Sequence, residues 1–267
     1  MPCTMSSRPT TSVVLGQISY LNTDPFFERL EVDAERVAVP PRELARLCRE
    51  GAVDVGAIPV GELFRMEDEF EPLGQMGIAT FGRVSSVLCF SRRPFAELTG
   101  ARVALTRDSS TSVRLLRLLL EQFVGVRPRE YFRGPGEEGD AFLTIGDEAL
   151  RLAHTGAPGF PHVMDMGEAW REWHGLPFVF ARWAVRRALP AAEKQRLAEA
   201  FSRALDAGLE RAGEIAARRE PDIGVPASEL EAYLRRFRYR FGHAEAEGEA
   251  LFRRLLEQHD LSAFDPR

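Results

Sequence analysis

The sequence predicts an α/β protein of two lobes, with a ligand cleft between them and a set of helices at its C-terminal end. Strand and helix patterns alternate through the first 60 residues, as they do in parallel α/β folds. Two strand-like segments, "SSVLCFS" and "FVFARWAV", enclose a middle block with strand–helix units of its own. After residue 190 the remaining pattern is helical only.

The two strand-like segments are the places where we expect the chain to cross between the lobes. The prediction is an outer α/β lobe formed by residues 1–90 and 183–267 and an inserted α/β lobe formed by residues 91–182. This arrangement is the two-lobed plan of type II periplasmic binding proteins. Ligands of open α/β sheets bind where strands end and helices begin, so polar residues at such positions are the candidates for a site.

Local patterns place the elements of the first 60 residues. The β-prone run "SVVLGQIS" predicts a strand, and Asp24 followed by Pro25 predicts an N-cap and a first helical residue that open a helix over "PFFERL". Apolar residues at helical spacing before Gly51 predict a helix over 41–50. The run "AVDVGAIPV" then predicts a buried strand.

The middle and C-terminal parts carry the same signals. In "DAFLTIGDEALRLAH" we expect a strand ending at Ile145, a turn at Gly146 and an N-cap at Asp147, and Asp165 marks a further helix start. Other strands are predicted at 84–91, 101–106 and 176–185. Helices are predicted at 191–218, 227–239 and 244–258.

Composition excludes several classes of protein. The chain has 267 residues, of which 45% are hydrophobic and 28% charged, so a sizeable core is expected. Its net charge of −5 offers no basic field to hold a nucleic-acid backbone, and nucleic acid is not an expected partner. No segment is as long and apolar as a membrane helix, and the N-terminal residues lack the apolar core of a secretion signal. We therefore expect no membrane partner and a cytoplasmic location.

Cysteine and histidine spacing gives no sign of a metal site. Cys3, Cys48 and Cys89 form no CxxC pair and are odd in number, which argues against a disulfide framework. The five histidines form no HxH, HxxxH or HExxH pattern. A phosphate loop and a nucleotide fingerprint are also missing from the sequence. The expectation is a protein without metal or organic cofactor.

The first candidate site segment is "ISYLNTDPFF", where four polar positions interrupt an apolar run. Asn22 and Thr23 lie where the first strand ends and a helix begins, directly after Ser19 and Tyr20. That position suits contacts with a ligand in the cleft. The alternative is a turn whose Asn, Thr and Asp serve only its own backbone hydrogen bonds.

The strongest independent signal is the hydroxyl-rich run in "LTRDSSTSV". Hydroxyls and unpaired N–H groups converge there at the positive end of a long helix, and a carboxylate or phosphate is the ligand that such a corner prefers. The alternative is simple capping, which one Ser or Thr would satisfy. The run contains Ser109, Ser110, Thr111 and Ser112.

Ser85 and Ser86 begin the strand that we expect to cross between the lobes. Hydroxyls at a buried crossing must find partners or face the cleft. Asp147 is explained by its position as a helix cap, so the residues by themselves assign it no further role.

Taken in order, these blocks resemble one enzyme family. The segments "GQISYLNTDPFFERL", "GAVDVGAIPVGEL", "VSSVLCFSRRPFAELTGARVALTRDSSTSVRLLRLLL", "IGDEAL" and "DMGEAWREWHGLPFVFARWAV" are similar to the chorismate dehydratases of the futalosine route to menaquinone. The resemblance spans residues 13–186, whereas the C-terminal helices fit in length rather than in motif. The sister enzyme, 1,4-dihydroxy-6-naphthoate synthase, is expected to show Pro-Asn-Asp where this chain has "YLNT". One departure is "IPVGELF", where the family would have a more polar stretch with a Tyr.

The resemblance implies a carbon–oxygen lyase that converts chorismate to 3-[(1-carboxyvinyl)oxy]benzoate by loss of water. It implies catalytic roles for Asn22 and Ser86. The substrate-binding residues that it implies are Ser19, Tyr20, Thr23, Ser85, Thr106, Ser109, Ser110, Thr111, Ser112, Ile145, Gly146 and Asp147.

Two other classes share the expected fold. A solute-binding protein for a small aromatic or dicarboxylate anion would need export or a lipid anchor, and a ligand-sensing regulator normally carries a helix-turn-helix. Neither feature is visible in the sequence. Turnover of chorismate would separate the enzyme from both of these binding proteins.

Overall fold

The computed structural model describes residues 13–266, which form two β-sheets with helices packed around them. Cys3 lies outside the described residues. The strands are β1 (Val13–Gln17), β2 (Ala34–Ala38), β3 (Val55–Pro59), β4 (Phe70–Thr80), β5 (Val87–Ser91), β6 (Arg102–Leu105), β7 (Glu130–Arg133), β8 (Ala141–Ile145), β9 (His162–Asp165), β10 (Phe178–Arg186) and β11 (Arg238–Arg240).

The α-helices lie between these strands and after β10. They are α1 (Pro41–Arg49), α2 (Val60–Leu63), α3 (Thr111–Leu118), α4 (Gly146–Thr155), α5 (Met166–His174), α6 (Ala191–Glu210), α7 (Ala212–Ile223), α8 (Ala227–Arg236) and α9 (His243–Gln258). Shorter 3₁₀ helices cover Leu21–Phe26, Phe95–Glu97 and Gly136–Glu138, and a π-helical turn, Leu119–Val124, extends α3. Within residues 13–266 no helix is long and apolar enough to cross a membrane.

The first sheet has six strands in the order β11-β4-β10-β3-β1-β2. β1 runs parallel to β2 and β3, and β10 runs antiparallel to β3 and β4. Every residue of β3 is buried, as expected for a strand covered on both faces. Helix α1 packs closely on this sheet because Gly16 and Gly56 leave room for Leu44; a Cβ on Gly16 would lie 2.1 Å from Leu44 Cδ1.

The second sheet has five strands in the order β7-β6-β8-β5-β9. β6 runs parallel to β7 and β8, whereas β5 runs antiparallel to β8 and β9. The chain leaves the first sheet after Thr80, enters the second at Val87 and returns with β10. The division into lobes at residues 90/91 and 182/183 stays a prediction, since sheet membership alone does not define a domain boundary.

Aromatic rings join the C-terminal helices to the first sheet. The ring of Trp183 on β10 lies 5.1 Å from that of Phe26 and 4.2 Å from that of Phe201 on α6. All three side chains are fully buried. Burial of such rings supplies a large share of core stability, so the 3₁₀ segment after β1 is fixed against both the sheet and α6.

Three local predictions after residue 20 are wrong in detail. The helix expected from Asp24 is a 3₁₀ helix that begins at Leu21, with Pro25 inside it, because the Thr23 amide already bonds the Tyr20 carbonyl at 2.9 Å. The single helix expected over 191–218 is divided at Arg211 into α6 and α7. A short strand, β11, follows α8 where only helix was expected.

Candidate functional site

A narrow cleft lies between the two sheets. Its cavity volume is about 60 Å³. This volume is far below the range of small-molecule sites, because the two walls of the cleft lie close together. Nine residues of the sequence-based site line the cleft, namely Tyr20, Asn22, Thr23, Ser86, Ser109, Thr111, Ser112, Ile145 and Gly146.

The rest of the lining is apolar and was missed by sequence reasoning. Apolar residues at strand ends have the same local pattern as core residues, so no sequence signal separates them. Phe237 comes from the segment after α8, where the chain has no recognisable motif. The missed residues are Ile18, Pro41, Pro59, Ile78, Val84, Val87, Phe180, Ala181 and Phe237.

Five of the expected site residues do not line this cleft. The Ser19 carbonyl faces Arg219, and the Ser85 hydroxyl accepts a 2.6 Å hydrogen bond from Arg236. Thr106 lines a separate depression on the second sheet, and Ser110 lines another beside α1. The Asp147 carboxylate binds the Leu21 amide and the Arg219 side chain. A substrate contact by any of these five stays a prediction.

The turn after β1 divides its polar groups between structure and cleft. The Thr23 hydroxyl donates to the Ile18 carbonyl, and the Tyr20 carbonyl is 2.9 Å away. The hydroxyl proton of Thr23 therefore serves a hydrogen bond within the turn, as the alternative interpretation of this segment expects. Asn22 is half-buried and lines the cleft, and its side-chain amide has no recorded partner among residues 13–266. Asn22 is therefore the side chain of this turn that remains available to a ligand.

Asp147 joins the two lobes instead of capping its own helix, so the predicted N-cap is wrong. Helix α4 begins at Gly146, and the Asp147 carboxylate accepts a 3.0 Å hydrogen bond from the Leu21 amide. Its second oxygen accepts from Arg219 of α7, which also donates to Asp24 at 2.7 Å. The Leu21 amide, 126 positions away in the chain, and the Arg219 charge together hold the carboxylate, so it does not serve as a local cap.

Burial controls the protonation of both acids at this junction. Burial raises the pKa of Asp147, against the opposing effects of the Leu21 amide and the Arg219 charge. Burial also raises the pKa of Asp24 to about 6, with Arg219 opposing it and the Asp147 charge reinforcing it. Both carboxyls are therefore easier to protonate than exposed ones.

Gly146 meets Tyr20 across the cleft. Its φ of +68° lies in the left-handed region, and a Cβ at this position would lie 2.7 Å from the Tyr20 ring. Its amide donates a 2.8 Å hydrogen bond to the Ser86 carbonyl. Glycine is thus required here by its backbone angle and by the ring against it.

The backbone on the N-terminal side of Ser86 is held by one carboxylate. The amides of Val84 and Ser85 donate to Asp165 at 3.0 and 2.7 Å. Asp165 also accepts from the amides of Gly167 and Glu168 as the N-cap of α5, so the helix start predicted at Asp165 is confirmed. Ser85 has a φ of +61°, a strained value for a residue with a side chain.

The hydroxyl-rich corner of α3 is partly explained by structure. Ser109 Oγ accepts a 3.0 Å hydrogen bond from the Ser112 amide, as expected if this serine only caps the helix. Thr111 Oγ1 accepts from the Gly61 amide at 3.0 Å, and this bond joins α3 to the helix that follows β3. The Ser110 hydroxyl is buried without a recorded partner among the described residues. Ser112 is left with a hydroxyl that lines the cleft and has no recorded partner in residues 13–266.

The described cleft lining contains no charged side chain. Its titratable group is Tyr20, and burial together with the nearby Asp108 carboxylate raises the pKa of Tyr20 far above its ordinary value. Tyr20 therefore stays a neutral hydrogen-bond donor. In residues 13–266 we also find no group of three His, Cys, Asp or Glu residues arranged to hold a metal ion. The site thus offers amide and hydroxyl groups in apolar surroundings.

Sequence comparison connects the chain to menaquinone biosynthesis. A family model described as menaquinone biosynthesis matches residues 13–258. A curated chorismate dehydratase of Thermus thermophilus is 34% identical in an alignment of 261 positions that covers 91% of this chain and 94% of that protein.

Solved structures show the fold. The Archaeoglobus fulgidus protein AF1704 superposes with a TM-score of 0.77 at 17% identity, covering 95% of this chain and 100% of that one. The periplasmic aliphatic sulphonate binding protein SsuA of Escherichia coli superposes with a TM-score of 0.63 at 16% identity, covering 95% and 94%. The expected two-lobed, periplasmic-binding-protein type II-like fold with C-terminal helices is therefore confirmed.

Proposed function

The chain belongs to the menaquinone biosynthesis family, and from that membership we propose that it is a chorismate dehydratase. The family expected from the sequence motifs is thus confirmed. The proposed reaction converts chorismate to 3-[(1-carboxyvinyl)oxy]benzoate by loss of water. The observation that carries the proposal is the 34% identity to a chorismate dehydratase over nearly the full length of both chains.

The chemistry of the cleft supports this substrate. Chorismate carries two carboxylates, an enol ether and a hydroxyl, all of which accept hydrogen bonds. Asn22, Ser86 and Ser112 present an amide and two hydroxyls to the cleft, and Tyr20 adds a neutral phenol. In apolar surroundings such donors interact with an anion more strongly than they do in water.

Loss of water needs a base for the ring proton beside the enol ether and a donor for the departing hydroxyl. The ring C–H bond breaks and its electron pair forms the new ring double bond, while the C–O bond of the hydroxyl breaks. The base passes the abstracted proton to the departing hydroxyl, which leaves as water. The described lining has no side chain that can take the proton near neutral pH. We therefore assign the proton to a carboxylate of the substrate itself, with aromatisation as the driving force.

Asn22 and Ser86 act by orientation in this scheme. They hold the departing hydroxyl and the enolpyruvyl group so that the substrate carboxylate reaches the ring proton. Positioning of reacting groups can supply several kcal/mol of barrier reduction. Ser112 and the α3 N-terminus would bind a carboxylate of the substrate.

The proposal needs no metal and no organic cofactor, and its partner is chorismate rather than nucleic acid or membrane. Cys48 and Cys89 are free, buried thiols, which suits a reducing compartment such as the cytoplasm.

The test is incubation of the purified protein with chorismate. Loss of the diene absorbance, with identification of the benzoate product, would support the dehydratase. Dialysis against a chelator should leave the rate unchanged, whereas loss of activity that one metal restores would contradict cofactor-free catalysis. Stable binding of chorismate or another small anion without turnover would instead support a solute-binding or sensing protein.

A further inference from the structure

Tyr233 contacts Ser86, which lines the cleft, and no sequence motif predicts this contact. It lies on α8, its side chain is 3% exposed, and its hydroxyl donates a 2.8 Å hydrogen bond to Ser86 Oγ. We propose that Tyr233 is a positioning residue, whose hydroxyl orients the hydroxyl of Ser86 so that Ser86 donates its own proton to the substrate. This inference rests on the proposed function, because it concerns how Ser86 acts on chorismate.

The direction of the hydrogen bond decides what Ser86 can do. A serine hydroxyl has one proton to donate and two lone pairs that accept. Burial raises the pKa of Tyr233 well above its ordinary value, so the phenol stays protonated and able to donate. When Ser86 Oγ accepts from Tyr233, its own proton is left for an acceptor in the cleft. In residues 13–266 no protein acceptor for that proton is recorded.

The backbone of Ser86 is already fixed, so the hydroxyl is the part that still needs a partner. The Gly146 amide binds the Ser86 carbonyl at 2.8 Å, and Asp165 holds the two preceding amides. A serine side chain still has three staggered positions on a fixed backbone. Within residues 13–266 the Tyr233 hydroxyl is the hydrogen-bond partner of Ser86 Oγ, and this hydrogen bond favours one of the three side-chain positions.

Tyr233 is itself held firmly. Its ring packs edge to face with that of Phe237, with centroids 4.9 Å apart, and Phe237 lines the cleft. From the end of the same helix, Arg236 donates to Ser85 Oγ at 2.6 Å. Helix α8 thus contacts two consecutive serines of the segment that leads into β5, and a rigid donor can orient a hydroxyl better than a mobile one.

The chain offers a matched control in Tyr239. Its side chain is also 3% exposed, and its hydroxyl has no recorded partner among the described residues. Its ring packs edge to face with Phe26, 5.5 Å between centroids. Tyr239→Phe therefore removes a buried hydroxyl of the same kind without touching Ser86.

The experiment compares steady-state kinetics on chorismate for wild type, Tyr233→Phe, Tyr239→Phe, Ser86→Ala and the double variant Ser86→Ala/Tyr233→Phe. Tyr233→Phe should lower kcat by about five- to fifty-fold with KM within about threefold, the signature of a contact used in the transition state. Tyr239→Phe should stay within about twofold of wild type. In the Ser86→Ala background, Tyr233→Phe should change kcat by less than about twofold, because the hydroxyl that it orients is gone.

Two outcomes would overturn the inference while wild type still turns over chorismate. One is a kcat of Tyr233→Phe equal to that of Tyr239→Phe. The other is an equal loss in both backgrounds, which would mean that Tyr233 acts through packing rather than through Ser86. Where Ser86→Ala has no measurable rate, the comparison of the two tyrosine variants decides, with thermal unfolding showing that both are folded. Wild-type protein that does not turn over chorismate would overturn the proposed function and this inference with it.

Discussion

The amide of Leu21 donates a 3.0 Å hydrogen bond to Asp147, and this bond joins the turn after β1 to the first turn of α4. Leu21 immediately precedes Asn22, the amide side chain that faces the cleft. Arg219 links the same carboxylate to Asp24, so one ion-paired junction connects the first lobe, the second lobe and a C-terminal helix. The position of Asn22 therefore depends on a contact between the lobes.

Asp147→Asn should mainly cost stability. The amide can still accept from Leu21, but the charged partner of Arg219 is lost, and we expect the free energy of unfolding to fall by about 1–3 kcal/mol with kcat within about tenfold of wild type. Urea unfolding and kinetics on chorismate check this, with Asp68→Asn in an exposed turn as the control. Abolished kcat with the fold intact would mean that Asp147 is the base.

Replacing either orienting side chain should slow the chemical step. Asn22→Ala and Ser86→Ala are each expected to lower kcat by roughly ten- to a thousand-fold, which is the loss of one oriented polar contact to a transition state. Steady-state kinetics with chorismate provide the measurement. Near-normal kcat in both variants would contradict catalysis by orientation of the substrate.

Asp24 should make stability depend on pH. Its pKa is about 6 in the folded protein, above the ordinary value of 3.8, so the folded state binds the proton more tightly than the unfolded chain. Its contribution is therefore present at low pH and is lost as pH rises from about 4 to about 6. Arg219 and Arg218 oppose this shift and Asp147 reinforces it.

The check is urea unfolding of wild type and Asp24→Asn at about pH 4 and pH 7. The free energy of wild type relative to the variant should decrease over this interval by about 1–3 kcal/mol. A difference that stays constant, or grows with pH, would mean that the Arg219 pairing outweighs burial at Asp24.

Variants of Thr111 and Ser112 should have different effects: one should lower stability and the other should lower the affinity for substrate. Thr111→Val leaves the Gly61 amide without its acceptor, so we expect a loss of about 1–3 kcal/mol in unfolding free energy. Ser112→Ala removes a hydroxyl without a recorded partner in residues 13–266, and should raise KM for chorismate by about tenfold with little change in stability. A larger KM effect for Thr111→Val than for Ser112→Ala would assign substrate binding to Thr111 instead.

Gly146→Ala should be far more damaging than Gly175→Ala. Both glycines have similar left-handed φ values, +68° and +67°, but a Cβ at 175 meets nothing within 4 Å whereas one at 146 meets the Tyr20 ring. Strain alone costs about 1 kcal/mol, so Gly175→Ala should lose about that amount. Gly146→Ala should lose more and should also raise KM, because Tyr20 must move. Equal losses in unfolding and unchanged KM would show that Tyr20 yields freely.

The parts of the fold that were predictable have strong local patterns. The continuous apolar runs of β3 and β5 and the striped helix α1 lie where their sequences indicate. Five strands were not predicted. Four of them, β2, β7, β9 and β11, lie at sheet edges, and only one of their sixteen residues, Tyr239, is buried. The fifth, β4, lies inside the first sheet, but Pro72 and Gly74 interrupt its pattern. An edge strand has little periodicity to read, since solvent covers much of it.

The site was predictable to the extent that it follows strand ends. Asn22 and Ser86 were both expected in the cleft, and both line it. The pairs Leu21–Asp147 and Tyr233–Ser86 are separated by 126 and 147 positions, and no local pattern encodes such contacts. The roles of Asp147 and Tyr233 could therefore be inferred only from the folded structure.

The narrowness of the cleft has a kinetic consequence. Its walls leave too little room for chorismate to enter without separation of the lobes. Two hydrogen bonds cross between the lobes, from the Leu21 amide to Asp147 and from the Gly61 amide to the Thr111 hydroxyl. We therefore expect both hydrogen bonds to open when substrate enters and to reform on closure, on the microsecond to millisecond scale of lid movements in other enzymes. Weaker hydrogen bonds between the lobes would shorten the time for which product stays bound. They would also lower the affinity for product.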